Sequence, residues 1–194
     1  SVALETMLRG ICKKENFLDL FENFILYDHS GGHTAKILAR NHQYLGVNEA
    51  MKAYAARKLN DGKLGVFWHT QGSGKSYSMV FFAQKVRRKF EGSPTFVILT
   101  DREELNSQIS DTFENCGLLG KSKASQFIAT SGDDLVQKLK GNPSFIFTLI
   151  QKFNKPNAEA IYPDHDIIIM SDEAHRSQYG IFADNMMKLL PTAA

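Results

Sequence analysis

A chain of 194 residues is long enough for one domain with a proper core, and 43% hydrophobic with 23% charged residues is the make-up of an ordinary globular protein. Lys plus Arg numbers 23 against 21 for Asp plus Glu, a net charge of only +2. That balance excludes nucleic-acid binding by sheer positive charge, but leaves room for a local basic surface, which is what phosphate neutralisation requires.

Residues 4–27 carry apolar side chains at helical intervals, among them Phe17, Leu20, Phe21, Phe24 and Ile25, and predict one or two amphipathic helices. Residues 28–33 are a turn-rich break. A second helical stretch is expected over 37–59, interrupted or kinked near Gly46 and closed by the turn Asn60-Asp61-Gly62. From there strands and helices alternate. Residues 64–68 read as a short buried strand that leads into a glycine-rich loop. A helix over 75–90 follows, with Met79, Phe82, Ala83, Val86 and Phe90 on one face. Residues 95–99 are a second strand. The next helix is expected to start at Thr100 or Asp101, with Glu103 and Glu104 in its first turn. A weaker strand over 126–129, a helix capped within 131–134, strands over 145–150 and 166–170, and a helix over 179–190 complete the order. Continuous apolar strands between amphipathic helices imply an α/β fold whose mostly parallel sheet is covered on both faces.

Two motifs carry chemistry. His69-Thr-Gln-Gly-Ser-Gly-Lys-Ser76 lies between a predicted strand and a predicted helix, which is the setting of a phosphate-binding P-loop. In such a loop Thr70, Gln71, Gly72, Ser73, Gly74, Lys75 and Ser76 surround a nucleotide. Gly72 and Gly74 let backbone N–H groups turn toward an anion, and the helix N-terminus adds its dipole. Lys75 reaches the β- and γ-phosphates of ATP, and the Ser76 hydroxyl ligates Mg²⁺. His69 stands where the general pattern has glycine, so the Gly-Lys-Ser core carries the assignment. Asp172-Glu173-Ala174-His175 follows the last predicted strand, and carboxylates at that end of a strand meet the ligand crevice of an open α/β sheet. Asp172 suits Mg²⁺ held through water, and Glu173 suits orientation and deprotonation of an attacking water. Lys75, Asp172 and Glu173 are the catalytic candidates.

Together these motifs resemble the first RecA-like domain of superfamily 2 helicases and translocases. Residues 65–76, 99–102, 171–178 and the stretch Ile37-Leu-Ala-Arg-Asn-His-Gln-Tyr44 narrow the resemblance to the motor region of type I restriction subunits, over nearly the whole chain. In that family His69 is no departure. The resemblance implies that Gln43 reads adenine, that Thr100, Asp101 and Arg102 contact the DNA backbone, that Thr148 and Lys152, with Gln151 between them, lie near DNA, and that His175 couples the nucleotide site to a second domain. It implies a double-stranded DNA translocase driven by ATP and Mg²⁺, working with methylation and specificity subunits in the bacterial cytoplasm. Residues 1–36 are then a helical linker from a nuclease domain, and 37–194 the first RecA-like domain. The family's nuclease signature and arginine finger find no match, since Asp61-Gly62-Lys63 is the sole acidic-x-lysine triplet. An arginine finger contributes about 10³–10⁵ in rate in nucleotide hydrolases, so binding with little turnover is expected of these residues alone. Another superfamily 2 DNA or RNA helicase, and a nucleotide-binding or subunit-docking module, are the alternative readings.

Other features read more simply. Cys12 and Cys116 lie outside any CxxC pattern and are expected to be a reduced pair. His29 and His33 have no completing ligands, so a polar loop is expected there rather than a metal site. Lys85, Arg87, Arg88 and Lys89 suit a helix C-terminus and solubility. No apolar run reaches membrane-spanning length, and residues 1–10 have no signal-peptide pattern.

Overall fold

Strand β3 (Thr95–Thr100) is buried at every position, as its unbroken apolar run requires. It lies between β4 (Phe145–Leu149) and β5 (Ile167–Ser171) and is parallel to both, with Val97 opposite Ile146 on one side and Ile169 on the other. The computed structural model describes residues 5, 8–68, 70, 72–154, 159–172 and 179–194, and the statements below concern these. Successive side chains of β3 leave opposite faces, so two hydrophobic clusters form. Phe96 and Ile98 join Phe145, Phe147 and Ile168 under three helices: α2 (Asn41–Ala55), α3 (Lys75–Lys89) and α4 (Glu103–Asn115). Val97 and Leu99 join Ile146, Ile167 and Leu135 on the other face, under α5 (Gly132–Lys140) and α6 (Tyr179–Leu189). This is the α/β architecture expected, with a parallel sheet flanked by helices.

Several expectations are corrected by tertiary pairing. Of the one or two helices expected over residues 4–27, α1 (Lys14–Asn23) ends before Ile25. It is followed by an antiparallel hairpin of β1 (Ile25–Asp28) and β2 (Ala35–Leu38), with Leu26 opposite Ile37. The turn at residues 28–33 lets its flanks pair, and once paired they alternate inward and outward with period two. Helix α2 runs unbroken through Gly46. A Cβ there would sit 2.0 Å from the Phe67 ring, so this glycine serves a close approach and not a kink. Residues 64–68 form no strand, and Val66 and Trp68 are 89% and 81% exposed. The free edge of β5 is taken instead by Ala194, which donates to the Ile167 carbonyl at 2.8 Å and accepts from the Ile169 N–H at 2.7 Å. Residues 126–129 contribute one parallel bridge, Ile128 to Phe147, at the far edge. Helix α4 starts at Glu103 with Arg102 as its N-cap, so neither Thr100 nor Asp101 caps it. The cap at Ser131 forms as read, its hydroxyl accepting from the Asp134 N–H at 3.1 Å.

In the basic run on α3, Arg87, Arg88 and Lys89 are exposed as expected, but Lys85 is not. Lys85 is buried, and its ammonium donates to both carboxylate oxygens of Asp19 on α1 at 2.5 and 2.7 Å and to Asn48 on α2 at 2.5 Å. It also lies 4.7 Å from the Phe24 ring centroid. Lys89 pairs with Glu22, and Arg88 donates to the Glu22 carbonyl. Burial pushes the Asp19 carboxyl up, but hydrogen bonds from Lys85 and Asn23 with the Lys85 charge outweigh it and hold the group below its ordinary value. A carboxyl so held stabilises the fold above the ordinary aspartate range, and that contribution disappears as pH falls through the lowered value. Asp19→Asn is therefore expected to be less stable at pH 7 and to lose less further stability than the parent below about pH 4. Urea melts of both proteins between pH 7 and pH 3 check this. Lys85→Met, which strands the carboxylate, is expected to cost roughly 3 kcal/mol at pH 7 in the same melts.

Candidate functional site

Helix α3 begins at Lys75, and the turn leading into it is held open by two left-handed glycines, Gly72 at φ 75° and Gly74 at φ 87°. Left-handed backbone costs other L-residues about 1–2 kcal/mol, which is why glycine stands at both. The turn is closed by Ser73, whose N–H and hydroxyl both donate to the Thr70 carbonyl, at 3.2 and 2.5 Å. Gly74 is the helix N-cap, and its carbonyl accepts from the Ser78 N–H at 3.2 Å.

The second motif arrives from β5. Its register sets Ser171 opposite Leu99, and the Asp172 N–H donates to the Leu99 carbonyl at 2.9 Å. The sheet end therefore delivers Asp172 to the start of α3, where its carboxylate lies 3.5 Å from the Lys75 ammonium. The Asp172 side chain is 10% exposed and that of Lys75 34%, so the pair sits at the protein surface rather than within the core. A cation at a helix N-terminus next to a sheltered carboxylate can bind a polyphosphate and hold a divalent ion beside it. Ser76, the next residue of α3, is half-buried at the same end. Among the described residues no three His, Cys, Asp or Glu side chains gather to hold a metal.

Gln43 comes from the first turn of α2 and is buried. Its Nε2 donates to the Gly74 carbonyl at 3.0 Å and its Oε1 accepts from the Arg40 N–H at 2.8 Å. His42 adds a ring nitrogen 3.4 Å from the Ser73 carbonyl. The structure thus brings together Gln43, Thr70, Gly72, Ser73, Gly74, Lys75, Ser76 and Asp172. Gln71, Glu173 and His175 lie outside the described residues.

The five candidate DNA contacts are not gathered into one surface. Thr100 and Thr148 are fully buried in β3 and β4, so neither presents a hydroxyl to a ligand. Lys152 donates to the Ala129 carbonyl, Asp101 pairs with Arg102 at 3.6 Å, and Arg102 alone has an exposed side chain, at 61%. Gln151 donates to the Asp101 carbonyl at 3.0 Å. His29 and His33 engage Thr34 and the Gly31 carbonyl within their turn, and both cysteines are free thiols. Sequence reasoning missed His42, whose only signal was its place beside Gln43. It also missed Asp28 and Tyr77, which are joined by a 2.5 Å hydrogen bond and which no motif singles out.

Two comparisons bear on this geometry. The family model described as SWI2/SNF2 ATPase matches residues 42–194. Among curated proteins, the chain is 42% identical to the type I restriction enzyme HindI endonuclease subunit of Haemophilus influenzae, over 91% of this chain and 18% of that protein. It is 35% identical to a putative type I restriction enzyme endonuclease subunit, MjaIXP, of Methanocaldococcus jannaschii, over 99% of this chain and 18% of that protein. A Staphylococcus saprophyticus type I restriction endonuclease subunit matches at 32% identity over 76% of this chain and 17% of its own length. The chain thus spans about a fifth of the relatives it matches. No helix among the described residues is long and apolar enough to cross a membrane.

A Cβ on Gly74 would lie 2.9 Å from the Gln43 amide nitrogen, whereas one on Gly72 would meet nothing within 4 Å. Gly72→Ala is expected to cost backbone strain alone, about 1–2 kcal/mol. Gly74→Ala should cost about 1 kcal/mol more, because it also displaces the Gln43 hydrogen bond. Equal costs for the two in urea melts would mean that this hydrogen bond contributes nothing.

Proposed function

This chain belongs to the SWI2/SNF2 ATPase family, and from that premise we propose that residues 37–194 are the first RecA-like domain of the motor in a type I restriction enzyme, with residues 1–36 leading into it. Its task in that reading is to bind ATP with Mg²⁺ so that hydrolysis moves double-stranded DNA past the enzyme, in concert with methylation and specificity subunits. The observation that carries the proposal is the meeting of Lys75 and Asp172 at 3.5 Å. Residues 97 positions apart in sequence converge where a loop with two left-handed glycines turns its backbone into a helix N-terminus.

Roles follow from chemistry at each atom. The loop N–H groups and the Lys75 ammonium neutralise phosphate oxygens, and they do so more strongly as charge moves onto the leaving oxygens during transfer. The Ser76 hydroxyl and Asp172, the latter through water, would hold Mg²⁺, which would supply neutralisation of phosphate charge. The residues fit such an ion in that the Asp172 carboxylate and the Ser76 hydroxyl are oxygen donors, the ligand type Mg²⁺ takes, while the Lys75 charge answers the phosphates. Glu173, next in sequence, is assigned the proton of the attacking water, and His175 the link to a second domain. Arg102, with its exposed guanidinium, is the best placed of the five sequence-derived positions to touch a DNA phosphate.

The test is calorimetric titration of Mg·ATP into the protein and into Lys75→Ala. Removal of one charged hydrogen-bond donor is worth about 1.5–3 kcal/mol, so the variant should bind about 10- to 100-fold more weakly. Equal binding by both proteins would remove the loop from the function.

A further inference from the structure

Helix α3 has a second polar side that the nucleotide chemistry does not use. At about 100° per residue, Tyr77, Phe81, Gln84, Lys85 and Arg88 fall on one side of the helix, and Lys75 points roughly the opposite way. The residues before α2, with Asn48 of α2 itself, cover that side. Phe81 packs on Phe24 with ring centroids 5.6 Å apart, Gln84 donates to the Asn23 carbonyl at 3.4 Å, and Lys85 meets Asp19 and Asn48. Nearest the loop, the Tyr77 hydroxyl donates to Asp28 Oδ2 at 2.5 Å, while Asp28 Oδ1 accepts from the Ser30 N–H at 2.8 Å. Asp28 is 6% exposed, and its two oxygens are thus both engaged at the end of β1.

We propose that Tyr77, fixed by Asp28, is a positioning residue for the phosphate loop. It anchors the first turn of α3 from behind, so that Lys75 and the loop N–H groups keep the spacing a polyphosphate requires. The inference rests on the reading of residues 69–76 as a phosphate loop. Tyr77 is two residues from Lys75 and three from Gly74, and its phenol reaches the hairpin whose exit strand leads to Arg40 and Gln43. The loop is held from that same segment at a second point, by Gln43 on the Gly74 carbonyl at 3.0 Å. Two anchors at one helix end resist both its translation and its rotation, and a loop misplaced by a fraction of an ångström loses several N–H contacts together. Burial, reinforced by Asp28, pushes the Tyr77 phenol up to about 12, so it remains a hydrogen-bond donor throughout the neutral range.

The experiment compares the parent with Tyr77→Phe, Asp28→Asn and Lys75→Ala, each with all flanking chain retained. Binding of Mg·ATP and of inorganic tripolyphosphate is measured by calorimetry, with thermal unfolding in parallel. Tyr77→Phe is expected to weaken both ligands by the same factor, about 5- to 10-fold, at temperatures well below its unfolding. Asp28→Asn, which keeps a polar partner for the phenol, is expected to stay within about twofold of the parent. In steady-state hydrolysis by the intact enzyme, KM for ATP should rise for Tyr77→Phe while kcat changes much less. Unchanged affinity in Tyr77→Phe, alongside loss in Lys75→Ala, would overturn the inference and leave the phosphate loop standing. Weaker ATP with unchanged tripolyphosphate would also overturn it, by placing the effect on the base. Full binding by Lys75→Ala would instead remove the reading on which the inference depends.

Discussion

The Lys85 ammonium forces three helices into one arrangement, because a buried cation without partners costs far more than the fold can supply. Its three N–H donors find two oxygens on Asp19 of α1 and one on Asn48 of α2, so α3 cannot slide or rotate without breaking a charged contact. Apolar packing alone would not impose this. The Phe24, Phe81 and Val47 contacts around it tolerate small shifts, whereas charge-assisted hydrogen bonds at 2.5–2.7 Å do not. The helix that carries Lys75 is thus fixed at its far end by another lysine. The N-terminal helix and hairpin are part of what holds the site, although they contribute no side chain to the Lys75–Asp172 opening.

The sheet supplies the complementary constraint. Parallel pairing of β5 with β3 sets Ser171 opposite Leu99, and a shift of one residue would turn Ile168 out of its cluster and exchange it for Ile167. Since both faces are buried, the register is strongly specified. That register, through the Asp172 N–H on the Leu99 carbonyl, determines where the carboxylate emerges. Helix position on one side and strand register on the other therefore determine a single quantity, the Lys75 to Asp172 separation.

What the sequence made legible follows from this division. Strands buried on both faces announce themselves as unbroken apolar runs, so 95–100, 145–149 and 167–171 were readable within a residue or two. The loop was readable because few residues other than glycine take φ near 75° and 87°. The hairpin was not, because Phe24, Ile25 and Leu26 continue a helical pattern until pairing with residues 35–38 imposes period two. Residues 64–68 look like a strand by composition, yet they pair with no strand, and Val66 and Trp68 stand exposed. Lys85 was misread for a related reason. A basic run at a helix end is normally solvated, and nothing local says that Asp19, 66 residues earlier, lies against it.

Gln43 shows how a motif residue can serve two demands. A glutamine amide offers two N–H donors and two carbonyl lone pairs. One donor is committed to the Gly74 carbonyl and one lone pair to the Arg40 N–H, which ties the phosphate loop to the start of α2. The contact with Gly74 also orients the amide, since its flip would set carbonyl against carbonyl. Asparagine, one methylene shorter, cannot span both, so the arrangement requires the length of glutamine as well as its amide.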